Sequence, residues 1–109
     1  MKRGDLVIVS LPGDYGKPRP AVIVETDRMA PTEHVLVCPS TTHILLDVGL
    51  RRILVEPDER NGLRERSQLQ IDKLTVYRRA KCGAIIGVLD EATIERMNAA
   101  LALMVGLLD

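Results

Sequence analysis

The chain has 109 residues, of which 46% are hydrophobic, two cysteines and a formal net charge of zero. This length is typical of one compact domain, so we expect residues 1–109 to form a single domain. The apolar runs are too short to cross a bilayer, and the charged start Met1-Lys2-Arg3 leads into a strand pattern rather than a signal-peptide core, which together predict a cytoplasmic protein with reduced thiols.

Seven short β-rich runs follow one another along the chain. The first two, residues 6–11 and 21–25, flank the turn-rich segment 12–18 and predict a hairpin with a long tip. Five more runs, at residues 35–38, 52–55, 68–71, 74–77 and 84–86, are separated by proline, glycine or asparagine. Short strands at this spacing favour a small barrel over a parallel sheet.

The last segment has a different period. Asp90 is a suitable N-cap, and apolar residues recur after it at steps of three and four, at Ile94, Met97, Leu101, Met104 and Leu108. We therefore predict an amphipathic helix over residues 91–108 that packs on the barrel. The expected fold class is mainly β with a C-terminal helix.

The charge is distributed unevenly although the total is zero. Residues 60–81 contain seven basic residues against two acidic ones, whereas residues 25–59 are acidic. Two interpretations remain open: a basic cleft for a polyanion such as a nucleic acid, or a solvated edge strand whose lysines and arginines prevent unwanted pairing.

One arginine stands at the mouth of the second strand. Arg19 is flanked by Pro18 and Pro20, which stiffen the backbone on both sides. An arginine held in this way presents its planar fork to a phosphate at little further entropic cost. The alternative is an ordinary hairpin with an arginine on its surface.

Three consecutive hydroxyl residues close the third strand. Ser40, Thr41 and Thr42 follow Pro39 directly. Hydroxyls and backbone N–H groups at a strand end can hold phosphate oxygens. They can equally cap the turn by local hydrogen bonds.

In this order and spacing, the segments resemble the MazF/PemK-like toxins of toxin–antitoxin systems over nearly the whole chain. The resemblance rests on Arg3-Gly4-Asp5, the turn 16–20, Pro39-Ser40-Thr41-Thr42, Asn61-Gly62-Leu63, Ser67-Gln68 and Ile71-Asp72-Lys73. It implies a small SH3-like barrel and a homodimer without a cofactor. It also implies an mRNA interferase, that is, a metal-independent and sequence-selective endoribonuclease that cleaves single-stranded RNA and is bound by a cognate antitoxin.

The resemblance also implies a catalytic pair. The family's essential arginine falls on Arg19 and its essential hydroxyl on Thr41. In such toxins the RNA 2′-OH attacks the adjacent phosphate and leaves a 2′,3′-cyclic phosphate and a 5′-OH end. Arg19 would stabilise the charged phosphorane, and Thr41 would anchor a non-bridging oxygen.

Further positions are expected to bind the substrate. Two acidic positions of relatives align with Asp14 and Asp72, while a position that is basic in one branch of the family is Gln70 here, so the general acid stays unassigned. The expected substrate-binding residues are Asp14, Lys17, Ser40, Thr42, Arg64, Arg66, Gln70, Asp72 and Lys73. The antitoxin is expected to share the basic part of this surface.

Metal and stacking sites are not expected. His34, Cys38, His43 and Cys82 do not form a convincing zinc ligand set. His43 beside the hydroxyls is either an auxiliary proton carrier or a solvated loop residue. With Tyr15 and Tyr77 as the only aromatics, a base-stacking platform is also not expected.

Two other classes of function stay open. A CcdB-like inhibitor of DNA gyrase has a related fold, but the helix here ends in residues 104–109 without an aromatic. A small-barrel nucleic-acid-binding adaptor is the other alternative, because a fold alone does not determine function.

Overall fold

The computed structural model describes residues 1–13 and 16–109, and this part of the chain folds into antiparallel strands followed by one α-helix. The strands are β1 (Asp5–Val9), β2 (Arg19–Ile23), β3 (His34–Thr41), β4 (Arg52–Val55), β5 (Ser67–Gln70), β6 (Thr75–Arg78) and β7 (Ile85–Val88). Short 3-10 helices span Gly49–Arg51, Ile71–Lys73 and Arg79–Lys81, and α1 spans Glu91–Met104. No helix in the described ranges is long and apolar enough to span a membrane.

The strands form one sheet in the order β4-β5-β3-β2-β1-β7. β3 is the strand on which the sheet bends, because its first half pairs with β6 while Ser40 and Thr41 pair with β5. The sheet therefore curls into a half-barrel. The prediction of a mainly β fold with a C-terminal helix is confirmed.

Both faces of the curled sheet are buried. Side chains alternate between the faces along each strand, so neighbours such as Leu6 and Val7 enter different cores. The first core lies between the sheet and α1 and includes Leu69 and Met97. The second core lies on the opposite face and contains Val7, Val9, Ala21, Ile23, Val35 and Val37.

The helix begins as predicted but ends earlier. The Asp90 carboxylate accepts a hydrogen bond from the Thr93 N–H at 2.8 Å, as an N-cap does. At the other end, Gly106 adopts a left-handed conformation with φ of 79°. The Leu107 N–H then donates to the Ala102 carbonyl at 2.9 Å, which closes a Schellman motif.

The predicted extension of the helix to residue 108 was therefore wrong. Met97 of the predicted stripe is buried, and Ile94 and Leu101 pack against the first core. Met104 and Leu108 are exposed instead. The glycine turns the chain away before the last apolar residues can reach the sheet.

A tight segment at residues 58–63 lies against β7. The buried Asn61 side chain accepts from the Asp58 and Leu63 N–H groups and donates to the Glu56 carbonyl. Gly62, with φ of 70°, passes so close to the Ile86 carbonyl that a Cβ at this position would overlap it. Because this contact holds Gly62 against β7, it also fixes the position of the backbone that leads to Arg64.

Candidate active site

The two predicted catalytic residues lie at neighbouring positions on adjacent strands. The β2–β3 register ends with the pair Ala21 and Pro39, and Arg19 and Thr41 each lie two residues beyond this pair on their own strands. Arg19 also pairs with Val9 of β1. Residues opposite one another share a face of the sheet, so Arg19 and Thr41 lie on the face of the second core, away from α1.

Two grooves meet at this pair. We call the first the Lys73 groove; its volume is about 620 Å³, and Arg19, Thr41, His43, Arg52, Gln70 and Lys73 contribute to its lining. Among the lining residues that the structure describes, Arg19, Arg52 and Lys73 are cationic and none has a carboxylate. The groove is therefore suited to a phosphate backbone.

The second, which we call the Arg64 groove, has a volume of about 580 Å³. Arg64, Glu65 and Ser67 form one side of it, and Thr42 also lines it. Arg19, Ser40 and Thr41 border both grooves. A single strand that runs from one groove to the other must pass over these three residues.

The Thr41 hydroxyl has a fixed orientation. Its oxygen accepts a hydrogen bond from the His43 N–H at 3.1 Å. This local bond is the turn-capping role that was one of the two interpretations. Because the bond occupies an oxygen lone pair, the hydroxyl proton remains available to donate to a phosphate oxygen.

Ser40 has a structural contact. Its side chain is buried, and its hydroxyl donates to the Pro20 carbonyl at 2.6 Å. The bond ties the proline-flanked segment of Arg19 to β3. Ser40 thus helps to position Arg19. Its contact with the substrate stays a prediction, since it also borders both grooves.

Gln68 holds the loop that follows Thr41, and sequence reasoning gave it no such role. Its side-chain amide accepts from the Leu45 N–H at 3.0 Å and donates to the Leu45 carbonyl at 2.9 Å. Gln68 pairs with Thr41 in the β3–β5 register. One buried amide therefore fixes Leu45, two residues after His43, at the edge of the Lys73 groove.

Arg52 is a second residue that the sequence analysis missed. Its Nε donates to Asp72 Oδ1 at 3.0 Å, and the side chains of Arg52 and Asp72 are 8% and 31% exposed. Arg52 lines the Lys73 groove, whereas Asp72 is absent from the described lining of both grooves. From the sequence alone, a basic residue in a strand is expected to point into solvent, because the strand pairing that determines its neighbours is not known.

Some predicted substrate-binding residues do not meet at the grooves. Lys17 is exposed but lines neither groove, and Arg66 forms an ion pair with Glu56 at 2.6 Å on the surface. Arg78 and Arg79 of the basic stretch pair with Glu33 and Glu25. The basic stretch is therefore divided between surface ion pairs and the grooves. Asp14 and Tyr15 lie outside the described residues.

The histidines and cysteines are separated in space. His34 is exposed, His43 borders the Lys73 groove, and both cysteines are free thiols. Cys38 lies in the first core, where burial, followed by the nearby charge of Asp72, raises the pKa of its thiol to about 12. Within residues 1–13 and 16–109, no three His, Cys, Asp or Glu side chains form a group that could hold a metal ion.

Comparisons with known proteins agree with the fold. Residues 2–105 match the family described as "PemK-like, MazF-like toxin of type II toxin-antitoxin system". The chain is 39% identical over 108 residues to the "Probable endoribonuclease MazF" of Mycolicibacterium smegmatis, with 98% of each chain covered.

Solved structures share the architecture. A mycobacterial endoribonuclease in complex with its cognate antitoxin superimposes with a TM-score of 0.82 at 22% identity, covering 98% of this chain and 96% of that one. The Mycobacterium tuberculosis toxin MazF-mt6 gives a TM-score of 0.78 at 22% identity, covering 94% and 96%. The family match and the 39% identity together show that the chain belongs to the PemK-like, MazF-like toxins of type II toxin–antitoxin systems.

Proposed function

We propose that the chain is the toxin of a toxin–antitoxin pair and that it cleaves single-stranded mRNA at selected sequences without a metal ion. This cleavage would inhibit translation and growth. Residues 1–109 would act as one domain in the cytoplasm. The observation that supports this proposal most strongly is the position of Arg19 and Thr41, side by side where two grooves meet.

The proposed reaction is an internal transfer at phosphorus. The RNA O2′ attacks the adjacent phosphorus and loses its proton, the P–O5′ bond breaks, and O5′ takes up a proton. The products are a 2′,3′-cyclic phosphate and a 5′-OH end. Because the nucleophile belongs to the substrate, no metal-bound water is required.

Arg19 and Thr41 would act on the same phosphate. The Arg19 guanidinium offsets the charge that develops on the non-bridging oxygens, and its fork fits them in pairs. The Thr41 hydroxyl, oriented by the His43 N–H, donates to one of these oxygens. Preorganised donors of this kind stabilise the transition state without having to reorganise.

We also propose a homodimer. The end of α1 and the nearby 3-10 helix expose an apolar surface that includes Leu50, Leu103, Met104, Leu107 and Leu108. Exposed apolar patches of this kind are typical of subunit interfaces. The loop 42–51 connects this surface with the Lys73 groove, so a partner seated there would lie beside the groove.

The cognate antitoxin would occupy the same grooves as the RNA. An acidic segment that is disordered when free could fold along the cationic lining and exclude the substrate by direct occupation. The mycobacterial structure with a bound cognate antitoxin, which has the same fold, supports an antitoxin as partner.

The test is cleavage of a long transcript in excess chelator, with the new ends mapped. We expect full activity, 5′-OH ends and a recurring sequence at the cut sites. Ends with 5′-phosphate, or activity that depends on added magnesium or zinc, would replace the proposal with a metal-dependent nuclease. Binding without cleavage would favour the adaptor, and inhibition of gyrase without cleavage would favour the CcdB-like alternative.

A further inference from the structure

We propose that Arg52 forms a second phosphate-binding subsite for the RNA in the Lys73 groove, and that Asp72 is the positioning residue that orients its guanidinium. The inference rests on the proposed function. It assigns Asp72 the role of holding Arg52, in place of the direct contact with the substrate that we expected from the sequence.

The register brings Arg52 to the face of the active site. Arg52 pairs with Gln70 across the β4–β5 ladder, and Leu54 pairs with Gln68, which in turn pairs with Thr41. Arg52 and Leu54 are two residues apart on one strand, so their side chains leave the same face. Arg52 and Thr41 are therefore on the same face of the sheet.

Arg52 and Arg19 stand on opposite sides of the Lys73 groove. Their strands, β4 and β2, are separated by β5 and β3. Three steps between neighbouring strands correspond to about 14 Å along the sheet. Both side chains nevertheless contribute to the lining of one groove. The two guanidiniums can thus contact different phosphates of one strand, with Arg19 beside Thr41 at the scissile position.

The ion pair with Asp72 occupies one part of the guanidinium. Asp72 Oδ1 accepts from Nε at 3.0 Å, which leaves the edge formed by the two terminal nitrogens. No buried side-chain nitrogen or oxygen in the described part of the chain lacks a hydrogen-bond partner. The terminal nitrogens of Arg52 have no other hydrogen-bond partner among the described residues, so they are not sealed in the core. Because Arg52 lines the Lys73 groove, we infer that these nitrogens face it. Two parallel N–H groups are the geometry in which arginine binds phosphate.

The surrounding charge favours an anion at this position. Lys73, which follows Asp72 directly, lines the same groove. The described lining has no carboxylate, since Asp72, which pairs with Arg52, does not contribute to it. Holding a long side chain nearly immobile before the ligand arrives also lowers the entropic cost of binding.

The test measures binding of an RNA oligonucleotide that spans a mapped cleavage site and has a single 2′-deoxy nucleotide at the scissile position, so that it cannot be cut. Its Kd is determined at several salt concentrations. Arg52→Gln should bind about tenfold more weakly at low salt, with a salt slope smaller by roughly 1 because one phosphate contact is lost. Arg52→Lys keeps the charge, so it should keep most of the slope but not the full affinity.

Two further variants separate binding from folding. Arg52→Gln/Asp72→Asn removes both charges together and avoids leaving an unpaired carboxylate, so its thermal unfolding should stay closer to wild type than that of Arg52→Gln. Asp72→Asn keeps the Arg52 charge and should weaken affinity while it preserves the salt slope. Arg78→Gln is the matched control, because Arg78 forms an exposed ion pair with Glu33 and lines neither groove.

A purely structural ion pair predicts a different result. In that case folded Arg52→Gln and the double variant would bind RNA with wild-type Kd and wild-type salt slope, and the proposal would be refuted. Failure of the proposed function is a separate outcome: the wild-type protein would not cleave RNA, or Arg19→Ala would still cleave it. Active wild-type protein, inactive Arg19→Ala and unchanged binding by Arg52→Gln would overturn the inference about Arg52 alone.

Discussion

Replacing Gln68 by leucine tests whether the loop after Thr41 must be held in place for cleavage. Leucine has a similar volume, so the change removes two hydrogen bonds to Leu45 without opening a large cavity. At about 1 kcal/mol for each bond, the free energy of unfolding should fall by about 2 kcal/mol. For a chain of this size, that corresponds to a decrease in Tm of roughly 10 °C.

The effect on catalysis should be larger than the loss of folded protein. Thr41 is the last residue of β3, and His43, which bonds to its hydroxyl, lies between it and Leu45. A displacement of about 1 Å at a reacting centre can cost about 10²-fold in rate. We expect single-turnover cleavage by fully folded Gln68→Leu, measured well below its Tm, to be at least about tenfold slower than wild type.

Thr32→Val serves as a control for this experiment. It removes a hydroxyl that donates to the carbonyl of His34, the first residue of β3, and Thr32 lines neither groove. This variant should cleave at the wild-type rate. If Gln68→Leu kept both its Tm and its cleavage rate, the amide would not hold the loop, and the explanation for the orientation of Thr41 would be wrong.

Four other predictions follow from the same structure. Arg19→Ala should slow cleavage by about 10²–10³ without unfolding the protein, and Arg19→Lys should restore little; a near-wild-type rate in Arg19→Ala would place the active site elsewhere. Ser40→Ala should lower Tm because it loses the hydrogen bond to Pro20, whereas Thr41→Val should lower the cleavage rate with little change in Tm. The reverse pattern would contradict these two assignments. Arg64→Glu should weaken binding of both RNA and antitoxin, whereas Arg66→Glu, outside the grooves, should affect both much less; equal losses, measured by titration, would argue against the Arg64 groove. Hydrogen bonds from Thr93 lower the pKa of Asp90. The ionised Asp90 carboxylate therefore contributes its full stability above the ordinary carboxyl pKa, and this contribution is lost as the pH falls through the lowered pKa. The Tm of Asp90→Ala should lie below that of wild type at neutral pH and converge with it in acid.

Most of the fold could be predicted because its signals are local. Residues such as Leu6 and Val7 belong to runs rich in β-branched side chains, and these runs were found within a few residues of their true ends. The helix start was predictable from Asp90 for the same reason. Its end was not, because the apolar spacing continues through Leu108 while the left-handed Gly106 breaks the helix first.

The site could be predicted only in part, because it depends on which strands become neighbours. Arg19 stands out between two prolines, and Thr41 within a run of hydroxyls. Arg52 gives no such signal, and its partner Asp72 is twenty residues away along the chain. Arg66 shows the opposite case, since a basic residue in a basic stretch is paired with Glu56 across the β4–β5 connection. Ion pairs between different segments determine which charges face the grooves. Such pairs cannot be predicted from a local sequence pattern.

The position of β3 also bears on when the protein can become active during its synthesis. β3 receives β2 on one edge and the later strands β5 and β6 on the other, and the Lys73 groove needs residues from Leu11 to Thr75. The first core is completed only by Met97 and Ala100 of the final helix. A nascent chain that stops short of α1 therefore lacks part of its core even when every groove residue has been translated. Although the residues that line the Lys73 groove all precede α1, we expect the finished groove to form only after this helix has left the ribosome and packed on the sheet.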